Sequence, residues 1–113
     1  MLEFIRPLHA AALVAAAAFL LATAAQAAGP GTRHTVVMEG TRFDPPELTV
    51  RPGDTVVWVN RDLFPHTVTA QSGAFDSGSI APDKSWKYRA RKAGVLPYFC
   101  AFHPSMKGTL RVE

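Results

Sequence analysis

The chain has 113 residues, with 12 Lys and Arg against 9 Asp and Glu, and a single cysteine. This length allows one small domain and excludes dinucleotide-binding enzymes and barrel enzymes, which need much longer chains. One cysteine excludes an internal disulfide framework and a zinc ribbon, since each needs at least two. The net charge of +3 is mild. We expect no nucleic-acid partner, because the sequence offers no basic groove that also carries aromatic residues.

The first 27 residues have the pattern of a secretory signal peptide. Arg6 lies in a short polar start, an apolar run covers 10–24, and Ala25-Gln26-Ala27 has the small-x-small pattern of a cleavage site. The alternative is a retained membrane anchor, but the apolar run is shorter than the roughly 20 residues that span a bilayer. We therefore predict a signal peptide over 1–27, a mature domain over 28–113, and a soluble protein of the periplasm without stable membrane association.

The mature chain is typical of short strands separated by turns rich in Pro, Gly and Asp. Alternation places Val56 and Trp58 on one face of a strand. It also places Trp86 and Tyr88 inside and Lys87 outside on a later strand. Such a series favours an all-β sandwich with Greek-key links. The predicted strands are 35–38, 47–50, 55–60, 66–70, 85–90, 95–100 and 109–112, with 43–46 as an extended link and 71–83 as a polar connection.

The residues that can carry chemistry are concentrated in one segment near the C-terminus. Cys100, His103 and Met106 follow one another at spacings of three, and His66 lies upstream on a predicted strand. Two imidazoles and one thiolate in a plane, with a weak axial thioether, are the ligands of blue-copper electron-transfer sites. A metal-bound thiolate would also explain a lone cysteine in an oxidising compartment, where a free thiol is open to oxidation.

Each of these four residues also has an ordinary interpretation. Cys100 can be a buried filler, His103 a surface residue, Met106 a core residue, and His66 a histidine satisfied by the backbone. Their occurrence together in one exported β domain favours a metal site. Zinc fits less well, because a thioether is a poor zinc ligand. A Cys–His nucleophile needs a third orienting group, an oxyanion hole and a substrate cleft, for which so small a domain has little room.

The chain also resembles a known family over nearly all of its mature part. The shared residues include Phe43-x-Pro-x-x-Leu-x-Val, Gly-Asp-x-Val-x-Trp-x-Asn ending at Asn60, Pro65-His66, Phe75-Asp76-Ser77-Gly78, and Tyr98-x-Cys-x-x-His-Pro-x-Met-x-Gly ending at Gly108. In these residues the chain resembles the small bacterial cupredoxins, most closely the amicyanin-like and plastocyanin-like members. The short spacing from Cys100 to Met106 is similar to that of amicyanins.

The resemblance implies an eight-stranded Greek-key sandwich and a function without bond chemistry on a substrate. It implies one type 1 copper held near one end by His66, Cys100, His103 and Met106. It also implies a soluble carrier of single electrons between redox proteins, by Cu(II)/Cu(I) cycling through the solvent-facing edge of His103, and not an enzyme. The competing hypotheses are a copper-binding or copper-delivery protein and a metal-free adhesion-like sandwich.

The sequence departs from the family pattern at three positions. Thr67 stands where many relatives carry Asn, so we expect a weaker link between the two ligand loops. Ala90 replaces a larger aromatic residue. Pro97 lies inside the predicted strand that leads to Cys100 and removes a ladder donor, so we expect it at an outward-facing, irregular point.

Two surfaces are candidates for partner contacts. Pro65, Phe102 and Pro104 flank the predicted ligands and can form an apolar docking patch around His103, whereas Phe64 is equally consistent with core and patch. A basic stretch over 84–92 presents Lys87, Arg89 and Arg91 from one strand face. It is either a solvated face that guards a sheet edge or a steering surface for an acidic partner. No oligomer interface is evident, and we expect a monomer.

Overall fold

The computed structural model describes Glu3 and residues 31–113. The predicted signal peptide, 1–27, lies outside the described residues apart from Glu3, so it stays a prediction. Within the described part of the chain, no helix is long and apolar enough to cross a membrane.

The described residues form two four-stranded sheets packed as a sandwich. The first sheet has the order β2-β1-β4-β6 and the second the order β3-β8-β7-β5. Both sheets are mixed, because β1 pairs with β4 and β3 with β8 in parallel. The predicted all-β Greek-key sandwich of about eight strands is confirmed. The strands are β1 (Arg33–Met38), β2 (Phe43–Asp44), β3 (Glu47–Val50), β4 (Thr55–Asn60), β5 (Thr69–Ala70), β6 (Ser85–Arg89), β7 (Gly94–Phe99) and β8 (Lys107–Val112).

The core lies between the inner faces of the two sheets. Trp58 from the first sheet meets Tyr98 from the second edge to face, with ring centroids 5.5 Å apart. Phe75 packs against both rings from the loop between β5 and β6. Aromatic pairs in such edge-on and tilted arrangements add about 0.5–1.5 kcal/mol beyond the area that they bury. The alternation predicted for β4 therefore places Trp58 at the centre of the core, and the partly buried Trp86 and Tyr88 of β6 pack against it.

The predicted strand over 66–70 is shorter in the structure, and only Thr69–Ala70 forms a ladder with β7. Upstream of it, His66 makes an isolated antiparallel bridge to Ile80. The backbone N–H of Val68 donates to the hydroxyl of Ser77 (2.7 Å) and the carbonyl of Val68 accepts from the N–H of Ser77 (3.0 Å). These contacts hold the segment over 66–68 to the loop that follows β5. The segment predicted as an extended link contributes the two-residue strand β2.

Pro97 is accommodated without a break in β7, which contradicts the expected irregular point. It pairs with Thr109 in a register that runs unbroken from Gly94 to Phe99. One register step beyond this ladder, the N–H of Cys100 donates to the carbonyl of Met106. Antiparallel pairs alternate between bonded and non-bonded, which makes Pro97 a non-bonded position toward β8. Its missing N–H is on the side of Gln71, just past the end of β5, and the N–H of Gln71 donates to the carbonyl of Pro97 (2.9 Å).

Candidate metal centre

The loop that leads to His66 is organised by one buried asparagine at the end of β4. Asn60 has no exposed surface. Its amide nitrogen donates to the carbonyls of Phe64 (2.9 Å) and Ile80 (3.0 Å), and its side-chain oxygen accepts from the N–H of Asp62 (2.9 Å). A buried amide whose donors and acceptor are all used holds its partners in one arrangement. This side chain therefore fixes the turn between β4 and His66.

Asp62 orients the imidazole of His66. Its Oδ2 lies 2.6 Å from Nε2 of His66, which is fully buried. Because a carboxylate accepts, Nε2 carries the proton, and the lone pair of Nδ1 is left free. Metal-binding histidines commonly have their second nitrogen held in this way. Sequence reasoning missed Asp62, since an acid four residues before a histidine in a loop is a weak signal.

The carboxylate of Asp62 is itself held by the turn after β1. It accepts hydrogen bonds from the N–H of Gly40 (2.7 Å) and the N–H of Thr41 (2.9 Å). Burial on its own would raise the pKa of Asp62. The N–H of Thr41, the His66 imidazole and the N–H of Gly40 outweigh burial and hold that pKa below its usual value. The carboxyl group is therefore ionised near neutral pH.

The segment from Cys100 to Met106 is a compact turn closed by three backbone hydrogen bonds. The N–H of Cys100 donates to the carbonyl of Met106 (3.0 Å), and the N–H of Met106 donates to the carbonyl of His103 (2.8 Å). The N–H of His103 donates to the carbonyl of Cys100 (3.2 Å). Since the three side chains come from one tight turn, their spacing of three places them on the same end of the sandwich.

The two imidazoles converge on the cysteine sulfur. Sγ of Cys100 lies 3.7 Å from Nδ1 of His66 and 3.8 Å from Nδ1 of His103. Metal bonds of about 2.3 Å to sulfur and about 2.0 Å to nitrogen, lengths typical of zinc, span about 3.7 Å if they meet at 120° and about 3.5 Å at the tetrahedral angle. The observed distances therefore leave room for one metal ion bound by the sulfur and both nitrogens. All three ligand atoms lie within 4.8 Å of one another.

The four predicted ligands differ in their access to solvent. Cys100 and His66 have no exposed surface, and Met106 is 2% exposed, whereas His103 is half-buried. A buried thiol cannot reach a substrate, so the geometry argues against a nucleophilic role for Cys100. The chemistry of the set is soft sulfur plus imidazole, which suits copper in both oxidation states. His103 alone offers a path from this centre to the surface.

An aromatic side chain covers the two imidazoles from one side. The ring of Phe64 lies 5.3 Å from the His66 ring and 5.4 Å from the His103 ring, and the two imidazole rings are 5.1 Å apart. Phe64 is 43% exposed. The ambiguity about Phe64 is resolved by this geometry, because the ring belongs to the surface around the site and not to the core.

Thr67 joins the two ligand segments directly. Its backbone N–H donates to Sγ of Cys100 (3.2 Å), and its hydroxyl oxygen accepts from the N–H of Ala101 (2.7 Å). The expectation that this link is weaker than one made by asparagine stays a prediction, and the contacts show that threonine still bonds both the sulfur and the next amide. Sequence reasoning could not find this, since it depends on where the hydroxyl points.

Comparisons with known proteins agree with this geometry. The sequence model of the Cupredoxin-like domain matches residues 10–112. Amicyanin from Paracoccus versutus is 34% identical over 89 residues, which are 74% of this chain and 67% of the relative. Plastocyanin from Scenedesmus fuscus is 33% identical over 84 residues, 63% of this chain and 86% of the relative. A solved structure of an oxidised amicyanin mutant superimposes with a TM-score of 0.68 at 30% identity, covering 75% of this chain and 85% of that one. The chain belongs to the cupredoxin-like family.

Proposed function

We propose that this protein is an exported type 1 copper protein that carries single electrons between redox partners in the periplasm. His66, Cys100, His103 and Met106 would hold the copper ion. The single observation that carries the proposal is the convergence of two imidazole nitrogens on one buried thiol sulfur. Bound copper would supply the one-electron couple, and the chain would perform no bond chemistry.

In this proposal, the residues around the centre restrict the movement of the ligand side chains. Asp62 holds the His66 ring, Thr67 holds the Cys100 sulfur, and the closed turn after Cys100 holds His103. Side chains that are fixed before the electron arrives need little rearrangement afterwards, and this keeps the barrier to transfer low. The half-buried ring of His103 then provides the exit to the surface.

An apolar surface surrounds this exit and suits brief docking of a partner. Phe102 is 52% exposed, Pro65 and Pro104 are exposed, and Leu63, which sequence reasoning did not include, is 92% exposed. Large apolar side chains grouped around one polar group are typical of interaction sites. A small patch of this kind allows a complex to form and to dissociate quickly. Its partner would be a redox protein with a complementary apolar face.

The docking patch can be tested without knowing the partner. We expect Leu63→Ser to slow electron self-exchange between Cu(I) and Cu(II) molecules of this protein, measured by NMR line broadening. The exposed Val95 lies on β7, away from the site, and Val95→Ser serves as the matched control. Equal slowing in both variants, or in neither, would contradict a docking role for Leu63.

Copper delivery is the second candidate function, because the same ligands can bind copper for transfer. A delivery site must release its ion, whereas a fully buried thiolate holds copper firmly. The two functions predict different retention of the bound copper during repeated oxidation and reduction. An electron carrier keeps its copper through repeated oxidation and reduction in the presence of a competing chelator, and a delivery protein loses it. The burial of Cys100 favours the carrier.

The decisive experiment is the absorption spectrum of the purified protein with Cu(II). An intense visible band from the Cys100 thiolate to Cu(II) is expected, and Cys100→Ala should abolish it. Thr49→Val, a change at an exposed position of β3, serves as the control and should retain it. A colourless Cu(II) complex of the unaltered protein would overturn the proposed function.

A further inference from the structure

A chain of hydrogen bonds runs from the ligand loop to a surface carboxylate. The N–H of Ala101 lies 2.7 Å from Oγ1 of Thr67, which lies 2.9 Å from Oγ1 of Thr69. The Thr69 hydroxyl in turn lies 3.1 Å from Oδ1 of Asp76. We call these four groups the hydroxyl relay. It begins one residue after Cys100 and ends on the loop between β5 and β6.

The direction of every bond in the hydroxyl relay is fixed by its two ends. At one end the Ala101 N–H can only donate, and at the other the ionised carboxylate of Asp76 can only accept. Thr69 must therefore give its single hydroxyl proton to Asp76. Thr67 must then give its own proton to Thr69, which leaves its lone pairs for the N–H of Ala101. Hydrogen bonds that run in one direction polarise and strengthen one another.

The carboxylate at the end of the relay is also held in place. Oδ1 of Asp76 accepts from the N–H of Gly78 (3.0 Å) as well as from Thr69. The backbones of Thr69 and Asp76 form an isolated antiparallel bridge, which keeps the two side chains together. Hydrogen bonds to an ionised acceptor are about twice as strong as neutral ones. Asp76 can therefore orient the relay although its side chain is exposed.

The inner end of the relay acts on the part of the chain that carries the thiol. Thr67 is 4% exposed and touches this part twice, since its N–H donates to Sγ of Cys100 while its hydroxyl holds the next amide. If the hydroxyl turned away, the Ala101 N–H would lose its acceptor. The peptide that follows Cys100 would then keep only the hydrogen bond from the N–H of His103 to its carbonyl, and a rotation of this peptide would change the direction of Sγ.

We propose that Thr69 and Asp76 are positioning residues of the metal centre. Acting through the Thr67 hydroxyl, they hold the backbone at Ala101 and so fix the orientation of the Cys100 sulfur. This inference rests on the proposed function for its purpose, since it assigns the relay to the copper site. The first measurement that tests it is independent of electron transfer, so the positioning role and the proposed function can be refuted separately.

The first measurement is hydrogen exchange of the Ala101 amide, followed by NMR in the full protein, both copper-free and loaded with Cu(I). Thr69→Val keeps the shape of the side chain and removes the hydroxyl, and Asp76→Ala removes the acceptor. Each should lower the protection of Ala101 by about two- to tenfold, the range expected for one hydrogen bond. The amide of Val56 in β4 serves as the internal reference and should not change.

Two further variants separate positioning from general stability. Asp76→Asn keeps an acceptor oxygen and should restore most of the protection that Asp76→Ala loses. Thr49→Val removes a threonine hydroxyl at an exposed position of β3 and should leave Ala101 unchanged. Unaltered protection of Ala101 in Thr69→Val and Asp76→Ala, or an equal loss at Val56, would overturn the proposal.

The second measurement addresses the sulfur itself. In the Cu(II) protein, Thr69→Val should alter the wavelength or intensity of the thiolate-to-copper band, whereas Thr49→Val should not. An unchanged band would overturn the positioning role even if Ala101 had lost protection. If the unaltered protein has no such band, the proposed function fails, and the exchange measurement still decides whether the relay holds the loop.

Discussion

At the scale of single residues, the groups that hold the ligands matter as much as the ligands. His66 binds through Nδ1 only if Nε2 keeps its proton, and Asp62 accepts the hydrogen bond from that nitrogen. Asn60 is the last residue of β4, and Asp62 and Thr67 follow it in the segment between β4 and β5. One short segment therefore determines both the tautomer of His66 and the environment of the Cys100 sulfur.

Asp62→Asn should weaken Cu(II) binding. Loss of a partner that orients a metal-binding histidine typically costs about 10- to 100-fold in metal affinity. The measurement is a titration against a Cu(II) chelator, with Asp83→Asn, a change at an exposed acid, as the control. An affinity equal to that of the control would show that the His66 ring does not need this carboxylate.

Asp54, at the opposite end of β4 from the site, gives the copper-free protein a pH-dependent stability. The N–H of Arg51 lowers the pKa of Asp54, and the His34 side chain and the N–H of Thr32 lower it further against the opposing effect of burial. The unfolded chain then binds more protons than the folded chain, so this contribution is complete above the ordinary pKa of about 3.9 and is lost as the pH falls below it.

Asp54→Asn should therefore destabilise the protein near neutral pH and have less effect in acid. Urea unfolding of the copper-free protein between about pH 6 and pH 3 measures this. Glu47→Gln, at an exposed position, is the control for loss of a carboxyl group. A stability difference that stays constant or grows as the pH falls would contradict the lowered pKa of Asp54.

At the scale of elements, β7 and β8 pack so closely that one glycine cannot be replaced. Gly108 pairs with Tyr98 in the ladder, and a Cβ built on it would lie 2.3 Å from Cζ and 2.4 Å from the hydroxyl of the Tyr98 ring. The ring is buried between Trp58 and Phe43 and has no room to move away. Gly108 is therefore required because a side chain at this position would overlap the Tyr98 ring.

Gly108→Ala should destabilise the protein by about 1–3 kcal/mol, the usual cost of inserting atoms into a packed core. Denaturant unfolding measures the effect, and Lys107→Ala, at an exposed position of the same strand, is the control. A stability equal to that of the control would mean that the ring shifts freely.

The local pattern of the sequence predicts most elements but not their partners. The predicted bounds of β3 and β4 match the structure, because alternation and turn residues are local signals. The parallel pairing of β1 with β4 is a long-range property and leaves no local signal. The hydroxyl relay and the Asp62 contact were missed for the same reason, since they depend on loop geometry. The spacing from Cys100 to Met106 is local, and it was sufficient to select the C-terminal part of the candidate site.

At the scale of the whole molecule, the basic residues of β6 and the proposed docking patch lie at different ends. Lys87 and Arg89 are exposed on β6, an edge strand, and Arg33 lies across β4 in register with Arg89. Arg89 pairs with Thr55, about 16 Å along β4 from the loop before His66. Charges at this distance are screened, because the Debye length is about 8 Å at physiological ionic strength. We infer that this face guards the sheet edge and steers partners little.

Reversing Arg89 and Arg91 to Glu should therefore leave the rate of reduction by ferrocyanide within about twofold at physiological ionic strength. Lys107→Glu, a reversal beside Met106, should slow it more, because that charge is close to the metal. Stopped-flow measurement at low and physiological salt decides the question. A larger loss from the distant pair would establish steering by the basic face.

The separation of His66 and Cys100 along the chain has a consequence for when copper binds. Bridging them closes a loop of 34 residues, a constraint worth about 4 kcal/mol of chain entropy by the relation used for covalent crosslinks. In the folded protein the two residues are already neighbours, and that entropy has already been lost. Copper should therefore bind the native chain about a thousandfold more tightly than the unfolded one on this account alone. The metal then acts as a reversible crosslink, stabilising a domain whose one cysteine cannot form an internal disulfide.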